Sequence, residues 1–252
     1  MGNPRTRRRQ LQRVAERRMA ERRRRRQRRV ALVLVLGILG LFGVGSAAAL
    51  FLNRDRDAGP SPTGPVEAVA CGGERPAAAG QAKPTFDQAP EMQIDRNKAY
   101  RAVMETSCGT IEIELFADDA PVTVNSFTFL ARQGFYDGLI FHRVIAAFMN
   151  QGGDPKGDGT GGPGYQFEDE IVESRRFDRP GLLAMANSGP DSNGSQFFIT
   201  VAPARHLDGL HTIFGRVVKG MEVVQEINAL ATDAADRPNE TVYIERIRIE
   251  EQ

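Results

Sequence analysis

The sequence has few of the residues from which metal centres and nucleophile sites are built. Its 252 residues include no tryptophan, two cysteines and three histidines. The histidines, His142, His206 and His211, belong to no HExxH or carboxylate–histidine spacing, and no Cys-x-x-Cys occurs. We therefore expect no metal site. A G-x-S-x-G nucleophile elbow is also missing, which argues against the corresponding hydrolases.

A glycine-rich run, QGGDPKGDGTGGPG at residues 151–164, does not supply these missing sites. Gly157 follows Lys156 where a phosphate-binding loop would require serine or threonine. Asp154 and Asp158 are four residues apart with no suitable ligand between them, unlike a calcium-binding loop. The run predicts a flexible surface loop.

Charge is concentrated at the beginning of the chain. Residues 1–29 hold fourteen of the 33 basic residues and only two acidic ones. Residues 30–52 then form an uncharged run of 23 residues, which as a helix would be roughly 35 Å long and would cross a hydrocarbon core of about 30 Å. We predict a transmembrane helix. The small residues near Ala47 leave a cleavable signal peptide as the alternative, although its apolar region is usually only about 7–15 residues long.

The arginine-rich segment before this helix predicts its orientation. Positively charged flanks remain in the cytoplasm, so residues 1–29 form a cytoplasmic arm and the chain beyond residue 52 lies outside the cytoplasm. The expected location is the cell membrane, with a single pass. A polybasic stretch beside a membrane helix also contacts anionic lipid, and we do not expect nucleic-acid binding.

The remaining chain divides into a tether and one domain. Residues 53–98 are rich in Pro, Ala and Gly and show little apolar periodicity, which predicts a flexible tether. Residues 99–252 have the usual size of one domain. Cys71 lies in the tether and Cys108 in the domain, on the oxidising side of the membrane. A disulfide and two free thiols both remain open.

The domain shows mainly strand patterns. Alternating apolar residues at 111–115 follow an apolar segment at 100–105, which predicts a hairpin. A helical pattern begins at Pro121 and stops at Gly134, a second helix is predicted over residues 221–230, and a strand over residues 242–249. Short apolar runs bounded by turn residues fill the rest. This mainly β pattern with two helices predicts a closed sheet or a sandwich.

Three blocks of the domain resemble the cyclophilin family of peptidyl-prolyl cis-trans isomerases. They are FHRVIAAFMNQGGD from Phe141, LLAMANSGPDSNGSQFFIT from Leu182 and HLDGLHTIFGRVVKGMEVV from His206. The similarity spans about residues 100–249, and with the preceding segments the chain resembles membrane-anchored bacterial members. The resemblance implies a closed eight-stranded antiparallel β-barrel with two helices and a peptide groove on its outer face. It also implies proline-containing polypeptides as substrates and no cofactor.

The resemblance also implies a set of site residues. Arg143 and Gln151 would be catalytic. Substrate would be bound by Ile145, Phe148, Met149, Ala186, Asn187, Ser188, Gln196, Phe198, His206, Leu207 and His211. Many members carry Pro-Gly where this chain has Ala146-Ala147. Many also carry tryptophan at His206, so we predict that cyclosporin binding is weakened while peptide turnover is retained.

Most of these residues have a specific expected role. Arg143 would donate a hydrogen bond to the twisted imide nitrogen, while Gln151 binds a substrate carbonyl and steadies the arginine. Phe148, Met149, Phe198 and Leu207 would hold the proline ring, with Gln196 as support and the backbone of Asn187 against the peptide. His211 either orients a carbonyl or caps a loop. The alternative function is a non-catalytic module or chaperone that binds proline-containing peptides.

Overall fold

A computed structural model describes residues 68–251 of the chain. The predicted cytoplasmic arm, the transmembrane helix and residues 53–67 of the tether lie outside the described residues. Neither helix within residues 68–251 is long and apolar enough for a membrane span.

Residues 68–251 form nine strands and two helices, in addition to short 3-10 turns. The strands are β1 Tyr100–Thr106, β2 Gly109–Leu115, β3 Leu139–Ile140, β4 Arg143–Ile145, β5 Met149–Gly152, β6 Leu182–Met185, β7 Phe197–Thr200, β8 Ile213–Lys219 and β9 Tyr243–Glu251. The helices are α1 Pro121–Arg132 and α2 Met221–Asn228. The mainly β prediction with two helices is confirmed.

All nine strands belong to one curled antiparallel sheet, in the order β3-β9-β1-β2-β8-β6-β7-β5-β4. The predicted closed barrel of eight strands is corrected to an open, curled sheet of nine strands. The extra strand arises because the segment 139–145 is interrupted at Phe141 and His142, so that its first part pairs with β9 and its second part with β5. The two edge strands, β3 and β4, are therefore consecutive in the chain and are not hydrogen-bonded to each other.

Local sequence accounts for the first hairpin and the first helix. Ile111, Ile113 and Leu115 are buried on one face of β2, as the alternation predicts. Helix α1 begins with proline at its first position, where the missing amide hydrogen costs nothing. Its end is followed by Gly134 at a φ of 65°, a left-handed conformation that glycine adopts readily.

Helix α2 ends at Asn228, two residues earlier than predicted. The side chain of Asn228 donates hydrogen bonds to the backbone oxygen of Ile145 at 2.9 Å and to Oδ1 of Asn150 at 2.8 Å. Its Oδ1 accepts a bond from the backbone N–H of Ala147 at 2.9 Å. These bonds attach the β4–β5 hairpin to the end of the helix.

The sheet buries apolar side chains on both faces. The main core contains both helices and inward residues such as Phe197 and Phe214. A second cluster lies on the opposite face of the same strands, and its buried members are Phe116, Met149, Phe177, Leu182, Ala184, Phe198, Ala204 and Ile213. Phe197 and Phe198 therefore face opposite sides, as strand alternation predicts.

The prediction of a flexible tether does not hold for residues 68–98, which lie against the domain. Val69 forms a parallel bridge with Thr241, and Phe86 makes an edge-to-face contact with Phe129 at 4.9 Å between ring centroids. A disulfide joins Cys71 to Cys108, which settles the open question of the two thiols. Composition alone did not predict this packing, because the contacts are made by single residues at wide intervals.

Candidate active site

The site is built on a row of paired residues that crosses β4, β5 and β7. Arg143 lies opposite Gln151, and Gln151 lies opposite Phe198. Residues that are directly paired in an antiparallel sheet point to the same face. The register therefore brings together a guanidinium, an amide and an aromatic ring that are far apart in sequence. The Arg143 side chain is 45% exposed.

An apolar patch adjoins this row. Met149 and Phe198 are buried in the second cluster, with Ile145, Phe148, Ala186 and Leu207 packed partly buried against it. The Phe198 ring stacks on Phe177 at 5.9 Å. The structure thus brings the four residues predicted to hold the proline ring into one surface.

A polar groove of about 800 Å3 lies next to the patch. It does not include Arg143, and it meets the row of paired residues at Gln151 and the patch at Ala186. Other residues along the groove include Asn187, Ser188, Gln196, Lys156, Thr160 and Gly161. The predicted substrate-binding residues are therefore divided between an apolar surface and a polar groove.

Two glutamines connect the site to the loop that walls the groove. Nε2 of Gln151 donates to Oε1 of Gln196 at 3.0 Å. Nε2 of Gln196 donates in turn to the backbone oxygens of Gly159 and Gly161, at 3.1 and 2.9 Å. Gln196 therefore holds both Gln151 and the loop.

The glycine-rich loop has a defined frame, contrary to the prediction of a flexible segment. The carboxylate of Asp154 is buried and accepts backbone N–H bonds from Lys156, Asp158 and Gly159. The backbone N–H of Phe86 donates to the oxygen of Pro163 at 2.8 Å. In the sequence, Asp154 is a single aspartate among glycines. Only its burial in the folded chain shows that it organises the loop.

Asn187 presents its backbone to the groove. Its side-chain amide donates to the backbone oxygen of Leu210 at 3.1 Å. Neither its backbone N–H nor its carbonyl has a hydrogen-bond partner among residues 68–251. The neighbouring Ser188 N–H donates to Oγ of Ser192 at 3.0 Å. An extended peptide can therefore pair with the free backbone groups of Asn187.

Comparisons with known proteins show the family of this fold. The family model described as "Cyclophilin type peptidyl-prolyl cis-trans isomerase/CLD" matches residues 101–249. The chain belongs to the cyclophilin family. Its site lies within the matched range, on the outer face of the sheet.

Individual relatives of this cyclophilin are similar over the same region. The chain is 51% identical over 166 residues to peptidyl-prolyl cis-trans isomerase A of Mycobacterium tuberculosis, covering 59% of this chain and 91% of that protein. It is 47% identical over 175 residues to a peptidyl-prolyl cis-trans isomerase of Arabidopsis thaliana, covering 66% of this chain but only 28% of that protein.

A solved structure shows the same fold. The cyclophilin-type isomerase of Cryptosporidium parvum, crystallised in the presence of the dipeptide Ala-Pro, is 36% identical with a TM-score of 0.58. The match covers 60% of this chain and 98% of that one.

The three histidines occupy different positions around the cyclophilin site. Nδ1 of His211 donates to the backbone oxygen of Met185 at 2.9 Å, and its ring meets Phe198 edge to face. These contacts fix the ring beside Phe198, and both predicted roles of His211 stay open. His206 is exposed and its ring lies 5.4 Å from that of Phe148. His142 is buried, and its Nε2 lies under the glycine-rich loop, 4.0 Å from where a Cβ of Gly159 would be.

The cyclophilin site has an acidic residue that the sequence did not reveal. Arg143 has no acid beside it in the sequence, but its Nε donates to Oδ2 of Asp236 at 3.2 Å. The two residues are separated by 93 positions, and no motif connects them. No group of three or more His, Cys, Asp or Glu side chains in the described part of the chain forms a metal site.

Proposed function

We propose that this cyclophilin accelerates rotation about X-Pro bonds in proteins outside the cytoplasm, and that Arg143 stabilises the twisted imide. The main support for this proposal is the strand register, which sets Arg143 beside Gln151 at the edge of an apolar patch containing Phe198. A fixed cation beside an apolar surface matches a substrate with an apolar ring and a polar backbone.

The reaction requires the protein to stabilise one twisted bond, and no covalent bond is broken. An X-Pro bond in the planar state has its nitrogen lone pair delocalised into the carbonyl, which produces a barrier of roughly 18–20 kcal/mol and isomerisation over tens to hundreds of seconds. When the bond twists, the nitrogen becomes pyramidal and regains its lone pair. A donor placed at that nitrogen binds the transition state more strongly than the ground state, and this difference accelerates the reaction.

Arg143 suits this role because a guanidinium is permanently charged and presents its donors in a rigid plane. One charge-assisted hydrogen bond contributes about 1.5–3 kcal/mol, which corresponds to roughly ten- to a hundred-fold in rate. The remaining acceleration comes from holding one side of the bond while the other turns. Phe148, Met149, Phe198 and Leu207 would hold the proline ring.

The polar groove would hold the peptide on one side of the proline. The unpaired backbone groups of Asn187 support this proposal, because an extended peptide offers complementary N–H and C=O groups. Gln151 is fixed by Gln196 and would bind the substrate carbonyl. The predicted loss of cyclosporin affinity at His206 stays a prediction.

The test is isomerisation of a proline peptide by the full chain and by two arginine variants. Arg143→Ala should lower kcat/KM by about ten- to a hundred-fold, the value of one charge-assisted bond. Arg216→Ala is the matched control, because Arg216 is also an exposed arginine in an ion pair, with Glu114 at 2.7 Å. It should retain wild-type activity.

Two results would oppose the proposal. Full activity in Arg143→Ala would remove the arginine from the mechanism. Wild-type protein that binds proline peptides without accelerating isomerisation would identify the alternative, a non-catalytic binding module or chaperone.

We propose further that residues 30–52 anchor the cyclophilin domain in the cell membrane, with the domain on the extracytoplasmic side. The disulfide between Cys71 and Cys108 supports this, because disulfides persist in oxidising compartments. The full chain should remain in carbonate-washed membranes of its native cells, with the domain open to protease added outside. Release by carbonate, or protection from the protease, would contradict the anchor or its orientation.

A further inference from the structure

The carboxylate of Asp236 occupies one specific edge of the catalytic guanidinium. Its Oδ2 lies 3.2 Å from Nε of Arg143. The two terminal nitrogens, Nη1 and Nη2, make no hydrogen bond with any residue from 68 to 251. The ion pair therefore uses the donor nearest the side-chain stem and leaves the outer donors of the guanidinium free.

Stabilisation is at most a minor effect of this pair. The two side chains are 45% and 41% exposed, and ion pairs exposed to this extent contribute only about 0–1 kcal/mol to stability. An arginine side chain that is free in solvent samples many rotamers. Contact at Nε restricts both the position and the plane of the guanidinium, which is what a directed hydrogen bond to substrate requires.

The loop that carries Asp236 is built to fix its position. Thr232 and Pro238 form an antiparallel bridge across the loop. Within it, the carboxylate of Asp233 accepts backbone N–H bonds from Ala235 at 2.7 Å and Arg237 at 3.0 Å. The backbone N–H of Asp236 donates to the oxygen of Asp233 at 3.1 Å.

The backbone of Asp236 is also attached to the strand that carries the arginine. Its carbonyl accepts the N–H of Val144, the residue after Arg143, at 2.8 Å. Asp236 has a φ of 64°, a left-handed conformation that aspartate, asparagine and glycine tolerate better than other residues. The main-chain bond and this conformation together hold the carboxylate next to Nε.

We propose that Asp236 is a positioning residue of the isomerase, which orients the Arg143 guanidinium through Nε so that its outer nitrogens face the substrate. This inference rests on the proposed role of Arg143. The proposal gives the loop 232–238 a role in the reaction, although this loop is far from the other site residues in the sequence.

Two variants of the full chain test whether the Asp236 carboxylate positions the guanidinium, while the shape of the loop is kept. Asp236→Gly removes the carboxylate and keeps the left-handed conformation, while Asp236→Asn keeps both the conformation and an acceptor oxygen. Asp236→Gly should lower kcat about ten-fold with KM within about two-fold, because a misdirected donor loses contact mainly in the transition state. Asp236→Asn should retain at least about half of wild-type kcat by keeping the acceptor.

The matched control is Glu114→Ala, which removes the carboxylate from the similarly exposed pair between Arg216 and Glu114. It should leave both kinetic constants unchanged. Urea unfolding of every variant checks that a loss of kcat does not come from loss of folded protein.

A double variant distinguishes this inference from the proposed function. Asp236→Gly should cause no further loss once Arg143 is alanine, because its effect passes through the guanidinium. Wild-type kcat in Asp236→Gly, or equal losses in the glycine and asparagine variants, would overturn the positioning role while leaving Arg143 in place. If Arg143→Ala is fully active, the proposed role of Arg143 is wrong, and the role of Asp236 that rests on it is wrong as well.

Discussion

His142 and Arg143 show how one step along the chain separates two environments. The Arg143 side chain is exposed at the site, whereas His142 is only 6% exposed. Neither ring nitrogen of His142 has a hydrogen-bond partner among the described residues. Burial lowers the pKa of His142, and the nearby Asp154 opposes this effect only in part. Folding therefore disfavours the protonated form of this imidazole.

This burial predicts that the stability of the protein falls in mild acid. The unfolded chain binds a proton at His142 near the ordinary pKa of about 6.5, while the folded chain does so only at lower pH. Unfolding is therefore favoured as the pH falls below about 6.5, by at most about 1.4 kcal/mol per pH unit from this group, until the folded pKa is passed.

The measurement is urea unfolding between pH 8 and pH 5 for wild type and His142→Leu. The free energy of unfolding should fall less in the variant, because it has no imidazole to protonate. The difference between the two proteins should be constant above pH 7.5. Parallel curves down to pH 5 would show that His142 does not control this loss.

At the scale of elements, the turn between β4 and β5 places two site residues, Ile145 and Phe148. The Phe148 N–H donates to the Ile145 oxygen at 3.0 Å, and the Ala147 N–H donates to the side chain of Asn228. Ala147 has a φ of 57°. A left-handed conformation costs an alanine roughly 1–2 kcal/mol, and the Pro-Gly of many family members would place glycine at this position.

Ala147→Gly should therefore stabilise the protein. Relief of the left-handed strain exceeds the extra freedom that glycine gives the unfolded chain, so we expect the free energy of unfolding to rise by about 0.5–1 kcal/mol. Ala146→Gly is the control in the same turn, because Ala146 does not have a positive φ. It should lower stability by up to about 1 kcal/mol. A lower urea midpoint for Ala147→Gly would contradict this account.

At the scale of the whole described region, the segment 68–98 acts as part of the domain. It is linked covalently by the disulfide, contacts α1 through Phe86, and reaches the wall of the groove where Phe86 bonds to Pro163. Gly164 is needed at this contact, because a Cβ there would lie 2.5 Å from the Phe86 oxygen. The segment therefore supports the domain as well as leading to it.

Loss of the disulfide should destabilise the domain by roughly 2–4 kcal/mol, since its two cysteines are 37 residues apart and the bond restricts the unfolded chain. The measurement is urea unfolding of the wild type with and without reductant, and of the double variant Cys71→Ser and Cys108→Ser. It gives the stability lost with the disulfide. Reductant should lower the midpoint of wild type and leave the double variant unchanged. An equal midpoint for oxidised wild type and the double variant would show that the link adds no stability.

The sequence by itself determined the first hairpin, the last strand and the two helices, because these depend on local periodicity and on short-range turn chemistry. The family motif then identified the residues that the register of β4, β5 and β7 brings together. Tertiary structure alone decided the pairing of Arg143 with Asp236, the frame of the loop around Asp154 and the packing of residues 68–98. Each of these depends on single contacts between segments far apart in the chain, and such contacts leave no periodic signal in the sequence.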